Sequence, residues 1–560
     1  CDDDDQDCED CEDDDDDDDS SFCARELYAH APGDEVDFER SEASNVVEEH
    51  PIVAAALHAK LRRAFEDDLV QVVRLRSPPD EPAAIVSRKF ASISMDWWPC
   101  GSRDSGGNWC NASVLDADLS DARLRSAAAL LAPGLLRVGG SMDVEARYAF
   151  DDADVAWCRA PRPFRDEEIT LCAHRDRVEA VLDFADDAGL GVVWGLPYPG
   201  AYASSSSSIV EDSVEVPPWN ATDALALLEE FGHRFAAVEL AEELAPPPNS
   251  ASYDNLVAAY RRLRDETTIE IRGPCVGMAA ETNGDEDCLF ASCEPSPFLA
   301  AFLEEEEGKL VDVLCVHSYD NSAGGNWTRL PALASQLPRQ LASLRALAAS
   351  SGVTCGECGP HNEGGLTVAV ASSYWYLDVL GRAARLGTLE FGRQAFLGAN
   401  YGLLDNDPGS YAAPNSDFWV AATWSRLMGH VVLGDVVGGE NEDFHVYAHC
   451  SPRAGWLALA FVNVAASSSV DLDLRDLQVV PGDKKLLRVE EWLFTTPDIH
   501  GKSLLLNGDL IDRDAPVLRH LEPARHRRRR VRIPPLAFGF LRFPTSHPAC
   551  TDDAKVAASS

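Results

Sequence analysis

The sequence predicts an α/β chain: a (β/α)8 TIM barrel with a C-terminal β-sandwich domain that also takes strands from before the barrel. Three observations carry this. Between residues 89 and 407, eight short β-rich runs alternate with helix-like stretches. After about residue 408 the helix-like stretches stop, while β-rich runs continue. One early run, DLVQVVRLR, precedes the alternation and has the character of the late ones.

In chain order, residues 1–21 are expected to be an acidic disordered tail. Fifteen of the first 19 residues are Asp or Glu, so like charges repel and nothing apolar is available to bury. The run lacks the glycine and spacing of an EF-hand loop. Residues 22–67 form a poorly defined lead that contains the helical stretch PIVAAALHAKLRRAF. Residues 68–88 hold the early β-rich run and are expected to join the sandwich.

The barrel, 89–407, has strand runs FASISM, LLRVGG, VVWGL, AAVEL, TIEIRG, VDVLCVHSY, GVTCGE and a weaker LGTLEF. Between them lie DARLRSAAALLA, HRDRVEAVLDFADDA, DALALLEEFGHRF, NLVAAYRRLRDE and ALASQLPRQLASLRALAASS, with helical periodicity. A doubly wound open sheet is the rival fold. It calls for a GxGxxG after the first strand, which the chain lacks there. Residues 408–550 carry GHVVLGDVV, DFHVYAHC, GWLALAFVNV, SSSVDLDL and LAFGFLRF, the expected sandwich strands. The basic run RHRRRRVR at 525–532 is expected to be a solvated, partly disordered loop. Residues 551–560 are a tail.

Composition bounds the function. Of 560 residues, 45% are hydrophobic and 25% charged, ordinary values for a globular chain. The net charge of -46 is not ordinary, and the body stays strongly negative without the tail. That disfavours nucleic acid and other polyanions as partners. No run of about 18 apolar residues exists, so no transmembrane helix is expected; membrane or wall association is left open. The chain begins at Cys1, and no signal peptide is seen in it. Cys100 and Cys110 bracket a Gly-rich loop, Cys158 and Cys172 another polar loop, and Cys450 and Cys550 lie near the two ends of a strand-rich region. Sequons stand at Asn111, Asn220 and Asn326. Loop-spanning cysteines plus sequons point to a secretory route, extracellular or to a lysosome- or vacuole-like compartment. A monomer is expected.

In such a barrel the active site lies at the C-terminal ends of the strands. The polar residues there are Asp96, Ser141, Glu242 and Glu243, His317 and Tyr319, and Glu357, with Gln394 and Tyr401 in the loop after the last strand. Carboxylates on strands four and seven face each other across the barrel mouth, as glycoside hydrolysis requires. Trp97, Trp98 and Trp194 offer faces for stacking on a sugar. Singly, each residue has a bland alternative: Asp96 as a cap, His317 as a hydrogen-bonded core histidine, Glu357 as a turn residue. No His/Asp/Glu cluster at metal-ligand spacing exists, and no cofactor is expected.

Further motifs keep order and rough spacing: DWWP at 96–99, LRVGG at 136–140, VELAEEL at 238–244, HSY at 317–319, GECG at 356–359 and RQAFLGANYGLL at 393–404, then YAHC at 447–450 and LLLNG at 504–508. From about 68 to 550 the chain thereby resembles the heparanase and β-glucuronidase family, glycoside hydrolase family 79, in its plant heparanase-like branch. The resemblance implies Glu243 as general acid/base and Glu357 as nucleophile of a retaining β-glucuronidase. It implies Asp96 and Ser141 as contacts to sugar hydroxyls, and Tyr401 with backbone near Gly364 and Gly365 as the holder of the glucuronate carboxylate. Gln394 is a further contact, and Cys450 with Cys550 a disulfide tying the sandwich ends.

Glu242 departs from the family, which carries Asn there. In retaining barrels that Asn donates to the sugar 2-hydroxyl, and a carboxylate donates only when protonated. Glu242 could tune Glu243 as an acid or spoil substrate binding. The rival reading is therefore a catalytically impaired relative that binds glycan or protein through the cleft. The acidic body favours less charged glucuronic-acid-containing glycans or glucuronide conjugates over heparan sulfate as substrate.

Overall fold

The structure, a computed structural model, describes residues 70–100, 109–151, 155–160, 162–164, 167–199, 216–277, 297–305, 310–320, 336–348, 352–360, 366–437, 442–477 and 486–551. The acidic tail, the helical lead, residues 200–215, Asn326, Gly364, Gly365 and the last nine residues lie outside them.

Eight parallel strands form the barrel: β1 (Ala91–Asp96), β2 (Gly134–Gly139), β3 (Leu190–Leu196), β4 (Ala237–Leu240), β5 (Glu270–Arg272), β6 (Val313–Asp320), β7 (Gly352–Pro360) and β8 (Phe391–Arg393). They pair in the order β5-β4-β3-β2-β1-β8-β7-β6, and Arg272 opposite Val313 closes the ring. Seven fall on runs marked in the sequence; β8 begins at Phe391, the last residue of the run LGTLEF, and continues two residues beyond it. Strands β1 and β2 are buried at every position, as expected for parallel strands covered by helices outside and by packed side chains inside.

Local chemistry sets the connecting helices. Asp121 caps Ala122–Leu130 by accepting from the Arg123 and Leu124 amides. Ser250 caps Ala251–Glu266 through the Tyr253 amide. Gly189, at φ 75°, ends Arg175–Ala188 one residue before β3 begins. Helices Thr222–Phe231 and Gln336–Ala348 also lie on expected stretches.

The helices do not stop at residue 408. Ser416–Leu427 follows β8 and packs against β1 and against helix Val370–Arg385, so the barrel's helical layer continues through Leu427. Both helices are buried nearly all round because they lie between the barrel strands and the sandwich.

The sandwich has two sheets. The larger pairs Ala84–Ile85, Val431–Val432, Phe444–Cys450, Trp456–Asn463, Ala537–Pro544 and Leu487–Thr495 in that order, with short strands beyond. The smaller is Gln71–Arg76, Val470–Asp476 and Arg530–Ile533. Segments from before the barrel thus enter both sheets. Val73, Leu75, Leu459, Phe461, Leu472, Val531, Ile533 and Leu541 fill the space between them. The outer face of the larger sheet joins the barrel core through Ala460, Trp492, Phe494, Phe538 and Phe540.

The basic run is not a loop. Ala524–Arg528 pairs with Leu487–Thr495 in the larger sheet, and Arg530–Ile533 pairs with Val470–Asp476 in the smaller. Carboxylates on the neighbouring strands neutralise it: Arg528 and His526 meet Glu491, Arg525 meets Glu490 at 3.6 Å, and Arg532 meets Asp471 at 2.9 Å. Val531 and Ile533 point inward as core residues. The alternation of inward apolar and outward Arg over 530–533 is the strand signal that the charge run masks.

Candidate active site

The site is built on Arg137, in the middle of β2. Charged side chains are almost never fully buried unless paired, and Arg137 is 3% exposed. Its Nε donates to Glu239 at 2.6 Å, its Nη2 to Glu242 at 2.6 Å and its Nη1 to Glu357 at 2.6 Å. Strands β2 and β4 alternate around the barrel, so their inward side chains share a layer. That is why Arg137 and Glu239 meet. Glu242 lies just past the end of β4, and Glu357 comes from β7. Burial alone would lower the Arg137 pKa; the carboxylates of Glu242, Glu239 and Glu357 raise it well above the ordinary value. The guanidinium is permanently charged.

Glu357 is held at both oxygens. Arg137 takes Oε2, and the Tyr319 hydroxyl donates to Oε1 at 2.5 Å. Burial and the Glu357 charge push the Tyr319 pKa well up, so the phenol keeps its proton. A β-bulge places Glu357: Val316 opposes Cys355, but His317 opposes Glu357, so Gly356 is an extra residue on β7.

Glu243 sits on a strained turn. Ala241 and Glu243 have φ of 64° and 52°, a region that disfavours side-chain-bearing residues. The Glu243 amide donates to the Cys275 carbonyl at 2.8 Å, which fixes the turn. Its side chain is 8% exposed and lies 3.5 Å from His317 Nδ1, which is 3.2 Å from Glu242. Burial would lower the His317 pKa, but the Glu242 carboxylate outweighs it and holds the pKa well above the usual histidine range. His317 thus lies between two glutamates, and the Glu242 carboxylate favours its protonated form.

Asp96 accepts from the Trp97 amide at 2.7 Å and from Gln394 Nε2 at 2.9 Å. Gly140, at φ 106°, lets β2 turn beside it; a Cβ there would come 2.3 Å from Asp96 Oδ2. Ser141 follows directly and is partly buried. The Tyr401 ring stands 5.8 Å from that of Tyr319 and 6.4 Å from that of Trp109. The structure thus gathers Glu242, Glu243, His317, Tyr319 and Glu357 around one buried cation, with Tyr401 against Tyr319 and Asp96 bonded to Gln394. Gly364 and Gly365 lie outside the described residues.

The tryptophans do not form sugar platforms. Trp97 and Trp194 are wholly buried, packed edge to face at 6.1 Å, and Trp98 is 7% exposed. They pack beneath the site instead.

Sequence reasoning gave no role to Arg137, to Glu239 beyond its strand, or to Asp143. The signal was present in the first two: opposite charges at the centres of two apolar strands need each other. Asp143 follows β2 on a short turn and is 2% exposed. Burial first, then Glu242, pushes its pKa well above the carboxylate range despite Arg137.

Among the described residues, two groups of side chains come close enough to hold a cation: Glu242, His317 and Glu357, and Glu239, Cys275, Cys315 and His317. In the first, Arg137 already occupies the carboxylates. In the second, Cys275 and Cys315 are joined to each other and offer no thiolates. Disulfides also join Cys100–Cys110, Cys158–Cys172, Cys355–Cys358 and Cys450–Cys550. Asn111 and Asn220 are exposed. No helix among the described residues is long and apolar enough to cross a membrane.

Comparison with known proteins agrees with this architecture. Heparanase-like protein 3 of Arabidopsis thaliana is 24% identical over 481 residues, 76% of this chain and 84% of that one. The baicalin-β-D-glucuronidase of Scutellaria baicalensis is 24% identical over 519 residues, 85% of this chain and 93% of that one. Among solved structures, a 4-O-α-L-rhamnosyl-β-D-glucuronidase from Fusarium oxysporum superposes with a TM-score of 0.58 at 14% identity, covering 85% of this chain and all of that one; at that identity it speaks to the fold. Residues 79–381 match the N-terminal domain of glycosyl hydrolase family 79, more than half of the chain, and the chain belongs to that family.

Proposed function

We propose that the chain is a retaining β-glucuronidase that cleaves β-linked glucuronic acid from glycans or glucuronide conjugates. The observation that carries the reading is the treatment of Glu357. Both of its oxygens are bound, one by a permanent cation and one by a neutral phenol, which fixes and aims it, as a nucleophile needs. Glu243, on the facing strand end, is the acid/base. Glu357 attacks the anomeric carbon while Glu243 protonates the leaving oxygen. Glu243 then takes a proton from the water that opens the glycosyl-enzyme ester. Such a pair works at a carboxyl separation of about 5–5.5 Å.

Glucuronate as the sugar rests on the printed activity of the Scutellaria protein and on Tyr401 beside Tyr319. Asp96, Ser141, Glu242, His317 and Gln394 complete the substrate site in this reading. The pairing of Glu242 with both Arg137 and His317 speaks for a fixed part of the machinery rather than a spoiled contact. Five disulfides among the described residues and the exposed sequons at Asn111 and Asn220 support a secretory destination.

The test is release of an aryl group from an aryl β-glucuronide between about pH 4 and 7, with the aryl β-glucoside and the Glu357→Gln variant as controls. Turnover of the glucuronide alone, lost in the variant, is the expected result. Folded protein that turns over no aryl or polymeric glucuronide, but gains activity on Glu242→Asn, would establish the impaired-relative reading instead.

A further inference from the structure

Two disulfides lie directly beneath the paired carboxylates. Cys355 and Cys358 flank Gly356 and Glu357, so their bond closes a four-residue ring that contains Glu357 and its bulge. Cys275 and Cys315 join the turn after β5 to β6. The Cys275 carbonyl accepts the Glu243 amide, and Cys315 lies two residues before His317, which contacts the Glu243 carboxylate. Cys315 also reaches the other ring at its backbone. A Cβ on Gly356 would come 2.6 Å from Cys315 Sγ, so the sulfur packs against backbone inside the other ring. All four cysteines are 0–1% exposed.

We infer that these two disulfides are positioning devices for the reaction: Cys355–Cys358 sets Glu357, and Cys275–Cys315 sets Glu243. The inference rests on the roles proposed above for those two glutamates. The physical need is plain. Glu243 occupies a left-handed backbone conformation and Glu357 a bulged strand, and both relax unless the surroundings over-determine them. A misplacement of about 1 Å at a reacting group costs on the order of 10²-fold in rate. A covalent tie removes that freedom where hydrogen bonds alone leave it. The tie at Cys450–Cys550, in the sandwich, has no such neighbour and serves as the comparison.

The experiment uses two aryl β-glucuronides: a dinitrophenyl one, whose leaving group departs without a proton, and a phenyl one, whose leaving group needs the acid. Three paired variants are compared with wild type: Cys275→Ala with Cys315→Ala, Cys355→Ala with Cys358→Ala, and Cys450→Ala with Cys550→Ala. Removing Cys275–Cys315 is expected to lower kcat/KM on the phenyl substrate roughly 10- to 100-fold and to spare kcat/KM on the dinitrophenyl one, whose kcat still falls because Glu243 also serves as base for the water. Removing Cys355–Cys358 should lower kcat/KM on both, because the nucleophile acts on either leaving group. The sandwich pair should lower Tm and leave kcat unchanged on both.

Near-wild-type kcat/KM in both barrel variants, or a uniform loss like that of a general destabilisation, overturns the inference. Where a variant does not fold, wild-type protein is titrated with dithiothreitol, which gives two electrons and two protons to each disulfide and becomes a cyclic disulfide itself. Activity must then fall with reduction of the barrel pairs, followed by mass spectrometry, and not with that of Cys450–Cys550. Glu243→Gln and Glu357→Gln run alongside. If those two variants keep full turnover, the proposed roles fail; if they behave as assigned while the disulfide variants do not, the positioning inference alone fails.

Discussion

Arg137 Nη1 lies 2.6 Å from a carboxylate oxygen of Glu357, and the two side chains are 3% and 6% exposed. The same guanidinium holds Glu239 and Glu242, so one cation neutralises part of a buried field of carboxylates. Replacing it by Met leaves those groups without their shared cation. The expected cost is about 3–5 kcal/mol in urea unfolding, with loss of turnover. Arg137→Lys should recover only part of the stability, because an ammonium is a point charge and lacks the planar fork that serves three acids. An unchanged unfolding midpoint in Arg137→Met would sink this account.

His317 makes stability depend on pH. Its unfolded pKa is near 6.5, and the Glu242 carboxylate, outweighing burial, holds the folded value well above that. A raised pKa contributes stability in full below about 6.5, and the contribution is lost as pH rises through the folded value. In Glu242→Gln the main raising charge is gone and burial pulls the pKa down. The variant should therefore lose most stability, relative to wild type, in mild acid, and progressively less in alkali. Urea unfolding at several pH values from 5 to 9 measures this, and a penalty that grows with pH would contradict it.

Asp143 has the same sign from a different cause. Burial, reinforced by Glu242, raises its folded pKa well above the carboxylate range, and its Oδ1 has no hydrogen-bond partner among the described residues. Above the ordinary Asp pKa of about 3.9, folding must take up a proton that the unfolded chain has released. Asp143→Asn removes that requirement. Relative to wild type, its stability should climb by about 1.4 kcal/mol per pH unit between the unfolded and folded pKa values. A flat difference across that range would mean Asp143 is ionised in the fold.

The strands were legible because a parallel barrel writes each one as a short β-rich run between amphipathic helices. The residues at the strand ends followed from the rule that such barrels work at that face. Two things were hidden by the same fact, burial on all sides. Ser416–Leu427 carries only a weak stripe because neighbours cover nearly every face. Trp97 and Trp194 looked like sugar platforms because a sequence shows an aromatic ring but not which way it points. The 525–532 run misled in the opposite direction: its charge suggested solvent, while its partners Glu490, Glu491 and Asp471 sit on other strands, far away in sequence. Cys275, Cys315, Cys355 and Cys358 could not be paired by spacing, since 40 residues separate one pair and three the other.

Cys450–Cys550 closes a separation of 100 residues and ties the strand Phe444–Cys450 to the short helix Pro548–Thr551. It spans nearly the whole sandwich in sequence. A closed loop of that length restricts the unfolded chain, a stabilisation of up to about 4.7 kcal/mol in the chain-entropy view. Both cysteines are buried among sandwich core residues, so replacing them with Ala also loses packing. The paired Ala variant should lose about 4 kcal/mol in chemical unfolding. Because the larger sheet also packs against Val370–Arg385 and Ser416–Leu427, its loosening should lower the barrel's melting temperature with it. Near-UV circular dichroism reports the packing of the tryptophans. A barrel tryptophan signal that melts at the wild-type temperature while the sandwich unfolds earlier would show that the two layers are not one cooperative unit.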